Sequence, residues 1–378
     1  MEVIYDLAIC GGGPAGAGAA ITAARQGGRV LLLERGQFPR HKVCGEFISS
    51  ESLSLLSSLL AGTDGERLLA GAPRIGRARI FSDGTVVEAA VEPAAASIAR
   101  YDLDIALWQA AERAGVECHQ QAAVTAIEAN PGGFFVGTEQ GSIGVRTVID
   151  ASGRWSNLTR TEDRPPRQRW LGVKAHFAAD EDVAPSVDLY FFPGGYCGVQ
   201  PLGVGRLNAC AMVRADVVAG RQTPGGSLLE QVLALHPQLQ ERSRWWRQVT
   251  ELVTTSPLVF RVPVPERDGI LLVGDAAGFI DPFAGDGISL ALQTGAAAAA
   301  ALSKTWTSGA TLPAACEAYG RFYQESILPV FTAAGRVRRL LSMPVLLRRP
   351  LLALLRAPGL ADLLVHKTRL RPPASLSR

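Results

Sequence analysis

The stretch Val3-Ile4-Tyr5-Asp6-Leu7-Ala8-Ile9-Cys10-Gly11-Gly12-Gly13-Pro14-Ala15-Gly16 decides the fold. Val3 to Cys10 is an apolar, β-leaning run that stops at three glycines. Pro14 to Gln26 is Ala-rich and reads as a helix, with Pro14 in the first turn, where its missing N–H does no harm. Arg29 to Leu33 is a second buried strand, and it ends on Glu34. Strand, glycine turn, helix and strand make a βαβ unit. Gly11, Gly13 and Gly16 fit the G-x-G-x-x-G spacing. The first glycine makes the tight turn, the second lets a pyrophosphate approach the backbone, and the third lets helix and strand pack closely. The anion then rests on the helix N-terminus. Glu34 can accept a hydrogen bond from a ribose 2′-OH, which favours FAD or NAD over a 2′-phosphorylated nucleotide.

Two later segments bear on which dinucleotide it is. Ile270 to Ile288 reads ILLVGDAAGFIDPFAGDGI. Its buried strand ends at Gly274-Asp275, where a carboxylate can hold polyol hydroxyls. Its loop Pro282 to Gly287 opens a helix whose N-terminal dipole favours a negative charge, such as that of a reduced flavin. Val148 to Arg154 is a further strand that ends in the polar turn Asp150-Ala151-Ser152-Gly153.

Around these segments the chain reads as helix over Leu53–Leu69, a hairpin over Arg77–Ala90 turning at Asp83-Gly84, and helix over Tyr101–Ala114. A strand starts at Val116, with short strands at Phe134–Gly137 and Val145–Asp150. Trp170–Val213 is strand-rich, Ser227–Leu239 helical, and Ile288–Lys304 a long Ala-rich helix. The remainder is helical, with expected breaks at Pro329, Pro344 and Pro350. No fixed-period repeat is present. At about 150 residues per domain, 378 residues make two domains or one discontinuous one. The return to a buried strand after a β-rich middle points to one domain inserted into another.

Composition excludes several classes. With 47% hydrophobic and 19% charged residues the chain is not disordered. A net charge of +3 does not mark a nucleic-acid binder. The six cysteines (10, 44, 118, 197, 210 and 316) contain no C-x-x-C pair, so neither a metal site nor a disulfide framework is expected. No secretory signal and no run of about 18 apolar residues is visible, so a cytoplasmic protein, soluble or membrane-peripheral, is expected. From Arg336 onward nine Arg and one Lys face one Asp, so the positive charge resides in the tail. Over 336–356 Arg pairs alternate with Leu and Val clusters, as in a helix that packs on a domain or lies on an anionic membrane.

The three dinucleotide segments, in this order and spacing, resemble the flavoprotein family of geranylgeranyl reductases, aromatic-ring hydroxylases and flavin-dependent halogenases. Val273-Gly274-Asp275 resembles its ribitol-binding motif and Asp150-Ala151-Ser152-Gly153 its middle motif. Phe38-Pro39-Arg40-His41-Lys42-Val43-Cys44-Gly45-Glu46 resembles the Pro-Arg-x-Lys-x-Cys-Gly stretch of the geranylgeranyl-reductase branch. Arg100, Asp104 and Leu107 resemble that branch's helix start, whose Arg lies along the FAD. The branch's roof signature Tyr-x-Trp-x-Phe-Pro is altered: Tyr196 and Pro201 remain, while Gly198 and Gln200 replace Trp and Phe. The halogenase signature Gly-Trp-x-Trp-x-Ile-Pro is absent.

The resemblance implies an α/β fold with a Rossmann-type FAD-binding domain (1–75, 100–160, 265–310), an inserted antiparallel β-sheet substrate domain (76–99, 161–264) and C-terminal helices (311–378). It implies FAD, with NAD(P)H as a transient electron donor. The candidate cofactor residues are Gly11, Gly13, Pro14, Ala15, Gly16, Glu34, Arg35, Lys42, Cys44, Gly45, Arg100, Val124, Asp150, Gly274, Asp275, Pro282, Gly285, Asp286, Gly287 and Ile288. The candidate substrate residues are His176, Tyr190, Phe192, Tyr196 and Gln200. Cys44 is the candidate catalytic group, as a proton donor or substrate-lining thiol. The altered roof favours hydroxylation or related oxidation of a lipophilic aromatic or polyketide-like molecule. The Lys-x-Cys-Gly stretch favours C=C reduction of an isoprenoid or other unsaturated lipid, and of the two readings hydroxylation is the main expectation and reduction the alternative. A lipid-binding protein on the same fold, without flavin chemistry, is the reading of another class.

Overall fold

The computed structural model describes residues 5–154, 158, 169–180, 185–219, 227–260, 262–341, 343–354, 359–362 and 369. Met1–Ile4 lie outside these residues, and with them Val3 and Ile4 of the first expected strand. So do 355–358, 363–368 and 370–378 of the basic tail.

The opening βαβ unit sets the first layer. Tyr5–Cys10 pairs in parallel with Val30–Glu34 on one side and with the second half of Gly141–Asp150 on the other. Glu117–Gln120 and Ile270–Leu272 extend this parallel sheet at its two ends. Side chains alternate across it, as strand geometry requires. Leu7, Ile9 and Leu32 face the helices Pro14–Arg25, Arg100–Arg113 and Gly287–Thr307. Ala8, Cys10, Leu31 and Leu33 face the other way, where Phe134, Val136 and Val145 of an antiparallel meander cover them. The Pro14–Arg25 and Gly287–Thr307 helices touch closely through small residues: a Cβ on Gly295 would lie 2.1 Å from the Ala15 carbonyl oxygen.

The second layer is a nine-stranded sheet that lies over the cavity. From one edge it runs Arg247–Gln248, Trp170–Ala178, Arg206–Arg214, Gly195–Gly203, Ser186–Phe192, Arg74–Ser82, Thr85–Ser97 and Phe47–Ile48, with Val253–Thr255 also on Trp170–Ala178. Only the pair Ser186–Phe192 with Arg74–Ser82 is parallel. The hairpin turns at Asp83-Gly84, both in the left-handed region (φ 53° and 76°), as a two-residue turn of this hand demands. Phe47–Ile48, which the sequence places with the dinucleotide domain, joins this sheet through Ser97 and Ala96.

Several expected elements differ. The helix expected over Leu53–Leu69 is two helices, Leu53–Leu60 and Gly65–Ala70, parted by a turn at Gly62 with φ 73°. Ser227–Leu239 splits likewise into Leu228–Leu233 and Pro237–Arg242, because Pro237 starts a new helix. Pro329 does not break its helix. A π-turn at Tyr323–Ile327 directly precedes Leu328–Leu341 and absorbs the missing N–H. Pro350 sits inside Val345–Leu354. No helix among the described residues is long and apolar enough to cross a membrane.

Candidate active site

A cavity of about 870 Å³ lies between the parallel sheet and the second sheet. Its polar end is backbone. Gly11 has φ 113°, and a Cβ there would lie 2.4 Å from the Ala151 carbonyl oxygen. A Cβ on Gly16 would lie 1.8 Å from the Gly11 oxygen, so strand, turn and helix touch with no room for a side chain. Gly13 differs: a Cβ would meet only Arg100 Nη2, at 3.8 Å, and the position opens on the cavity. The helix behind it has no side-chain cap and no acid in its first turn, so its N–H groups are free to take a phosphate.

Glu34 lines this end and is nearly fully buried. Its carboxylate accepts from Gly12 N (2.9 Å), Gly36 N (2.8 Å) and Arg40 Nη2 (2.7 Å). A carboxylate offers about four acceptor positions, so one remains for a ribose hydroxyl. Burial alone would raise this carboxyl. The Arg40 hydrogen bond and the charges of Lys42 and Arg40 outweigh it and hold it below the usual range, so it is ionised.

In the middle of the cavity Arg100 is clamped by Asp104, with Nε–Oδ1 2.6 Å and Nη2–Oδ2 2.7 Å. Burial opposes the Arg100 charge, but the Asp104 charge and hydrogen bonds win and raise its pKa above the ordinary value. Cys44 lines the same stretch of wall and stands close enough to act on the Arg100 charge. Lys42, beside it, is brought down to about 8, by burial first and by the Arg100 charge second. Asp275 is raised by burial against the pull of Arg154, Arg100 and Lys42. Gly287 begins the long helix on the cavity wall, and a Cβ there would meet nothing within 4 Å.

The opposite end is apolar. Alternate residues of the second sheet point in: Ala78 and Ile80, Val187, Leu189 and Phe191, Tyr196, Gly198 and Gln200, Cys210 and Met212. Phe279, Phe283 and Leu258 close the sides, and Val337 and Leu341 of the helix Leu328–Leu341 also line the wall. Tyr196 packs on Phe191 and Phe283 at ring-centroid distances of 5.3 and 6.3 Å.

Of the candidate cofactor residues, Gly11, Gly13, Pro14, Ala15, Glu34, Arg35, Lys42, Cys44, Gly45, Arg100, Val124, Gly274, Asp275, Pro282, Gly285, Gly287 and Ile288 line this one cavity. Gly16, Asp150 and Asp286 do not line it. Gly16 is the packing contact described above. Asp150 stands behind the wall, where it accepts from Ser152 N at 3.0 Å. Asp286 is buried at the head of the long helix and is raised by burial to about 7. Of the substrate candidates, Tyr196 and Gln200 face the cavity. Tyr190 and Phe192 do not: they are one residue out of phase with Leu189 and Phe191 and fill the core on the far side of the sheet, where Tyr190 stacks on Phe81 at 4.4 Å. His176 does not line the cavity either, because its ring lies behind Glu46 at 2.8 Å. Leu189 and Met212 are wall residues that the sequence reading did not name. Strand parity, counted outward from Tyr196, was the signal for both.

A dinucleotide cleft at the C-terminal ends of a parallel sheet, continuous with an apolar chamber under a second sheet, defines a flavoprotein oxidoreductase. The chain belongs to the FAD dependent oxidoreductase family, which it matches over residues 47–301. Digeranylgeranylglycerophospholipid reductase 2 of Methanopyrus kandleri is 31% identical over 322 residues, covering 77% of this chain and 75% of that protein. A menaquinone reductase of Mycobacterium tuberculosis is 27% identical over 364 residues, covering 90% and 84%. Among solved structures, the flavin-dependent brominase Bmp2 superposes with a TM-score of 0.81 at 20% identity, covering 96% of this chain and 93% of that one. The chain is thus an FAD-dependent oxidoreductase of the geranylgeranyl-reductase kind of fold. Gly13, the uncapped helix, Glu34 and Gly287 are the positions that suit the cofactor.

Proposed function

We propose that this enzyme reduces a carbon–carbon double bond in an apolar, lipid-like substrate, with NAD(P)H as the source of electrons. The observation that carries this reading is the place of Cys44. Its thiol lines the cavity beside Arg100, in the same chamber as the apolar wall of Leu189, Phe191 and Met212. Bound FAD supplies the hydride chemistry. The protein holds the apolar substrate away from water and keeps a proton at Cys44 Sγ for the second carbon. The curated relatives that cover most of the chain are named as reductases, which supports this choice. Hydroxylation is the second reading. It is favoured by Gly198 and Gln200 in place of the aromatic roof residues of the reductase branch, and by the likeness to a brominase fold. Turnover of a polyprenyl lipid in the absence of O₂ separates the two. Reduction yields a product two hydrogens heavier, whereas a product that forms only with O₂ and carries an added oxygen overturns it.

We also propose that the C-terminal helices bring the protein to its lipid. Val345–Leu354 exposes Leu346 (87%), Leu347 (61%) and Leu354 (61%), flanked by exposed Arg336, Arg339 and Arg349. Arg348 is not part of this charge, because Asp83 holds it at 2.7 Å through two hydrogen bonds. The preceding helix puts Val337 and Leu341 on the cavity wall, so the apolar surface adjoins the substrate chamber. Basic and apolar groups on two consecutive helices suit an anionic bilayer surface. Flotation with anionic vesicles at low salt is expected, with loss of binding in Leu346→Glu/Leu347→Glu. Absence of flotation removes the idea.

A further inference from the structure

The wall residue Glu46 carries more interactions than cofactor binding asks of it. It is fully buried and has φ 62°, a conformation that a residue with a side chain keeps only when its surroundings impose it. Three donors from two elements meet its carboxylate. Lys174 Nζ and His176 Nε2 (2.8 Å) come from the roof strand Trp170–Ala178, and Arg100 N (2.8 Å) from the start of the Arg100–Arg113 helix. Glu46 in turn donates its own N–H to Cys44 Sγ at 3.3 Å. From the neighbouring roof strand Asn208 reaches the carbonyls of Cys44 (3.1 Å) and Gly45 (2.9 Å). Asn208 lies opposite His176 in the register, so one patch of roof grips the whole Cys44–Glu46 loop.

Stability does not account for this cluster. Lys174 and His176 are almost wholly buried, and apolar side chains of similar volume would fill the same space without the desolvation that charges incur. Cluster and thiol are instead linked through two residues of backbone. We propose that Glu46 is the positioning residue of the site: anchored by Lys174 and His176, its carboxylate holds the loop so that the Cys44 thiol stays fixed on the cavity wall beside Arg100. The proposal rests on Cys44 facing the substrate, and it is read on the thiol itself rather than on turnover. Its failure and the failure of the reductase reading are therefore distinguishable.

The test compares iodoacetamide alkylation of Cys44 in the FAD-loaded protein, followed by mass spectrometry of the Cys44 peptide. Glu46→Gln alone leaves Lys174 buried without its carboxylate and is expected to fold poorly. The double variant Glu46→Gln/Lys174→Met removes both charges together. With FAD at saturating concentration, Cys44 in it is expected to react at least threefold faster, because its loop is released. Glu46→Asp keeps the charge but shortens the reach, and the same threefold threshold applies to it should the double variant fail to fold. A Cys44 rate within threefold of the unaltered protein in the variant that folds overturns the proposal. His176→Gln, which retains a donor toward Glu46, is expected to stay closer to the unaltered rate than the double variant. An equal or larger effect moves the anchor from Glu46 to the imidazole and overturns the assignment.

Discussion

At the nucleotide end of the cavity the backbone is the wall, whereas under the roof side chains are. Gly11, Gly16 and Gly295 sit where a Cβ would collide with a carbonyl oxygen, so covalent geometry leaves no choice of residue. Beneath the roof the wall is Leu189, Phe191, Tyr196 and Met212, contributed by alternate positions of three strands. Many apolar residues of about the right size would serve there. The first region can tolerate almost no change and recognises what every FAD has in common. The second can vary without unfolding the sheet and, on the proposed function, is where substrate choice would reside.

The sharpest way to break this contrast lies within the glycines themselves. Gly16→Ala places a methyl 1.8 Å from the Gly11 oxygen and is expected to abolish folding or to lower stability by more than about 3 kcal/mol. Gly13→Ala meets nothing closer than 3.8 Å and is expected to melt as the unaltered protein does, yet to lose FAD affinity, because the methyl occupies the phosphate approach. Thermal melts and flavin absorbance read the two effects apart. A Gly16→Ala protein that melts normally would show that strand and helix are free to separate.

The same contrast explains what could be read in the sequence. Glycine spacing, Glu34 and Gly274-Asp275 are local patterns whose chemistry needs those residue types, and Arg100 with Asp104 stands in a motif marked by the family resemblance, so the cofactor end was legible. The roof was legible only as strands. Tyr190 and Phe192 are aromatic and lie in the right strand, but a strand exposes one parity to each side, and nothing local tells which. The tie of His176 to Glu46 spans 130 residues and depends on how the roof strand lies over the Cys44 loop, which no spacing encodes. The π-turn that carries the chain past Pro329 was hidden for a similar reason: tertiary packing of Tyr323 and Ile327 overrides the local signal.

Parity gives the next expected effect. Tyr190→Ala removes a buried ring stacked on Phe81 and a hydroxyl that accepts from Arg242 at 3.1 Å. A loss of about 3–5 kcal/mol of stability is expected, as for other large-to-small core changes, with little change in substrate KM. Leu189→Ala, one residue away on the cavity face, is expected to alter KM several-fold and to cost less stability, because the space it leaves opens on an existing chamber. Equal KM effects from both would mean that the strand does not present these faces in solution.

The smallest expected effect sharpens the comparison from the cofactor side, through Lys42. Burial and the Arg100 charge bring its pKa to about 8, against about 10.4 in an unfolded chain. In the flavin-free protein this depresses the charged form, so between pH 8 and 10 the unfolded chain binds more protons than the folded one, and stability rises with pH. An anionic cofactor on the same wall favours the ammonium form, so FAD binding takes up a proton and affinity falls as pH rises through 8, by at most about tenfold per unit. The two quantities therefore move in opposite directions over one pH window. Glu34, held ionised well below it, contributes to neither slope. Fluorescence titration of FAD and denaturant melts from pH 7 to 10 measure both, and Lys42→Met should flatten both together. A slope that survives in Lys42→Met belongs to another group and removes Lys42 from the cofactor's electrostatic wall.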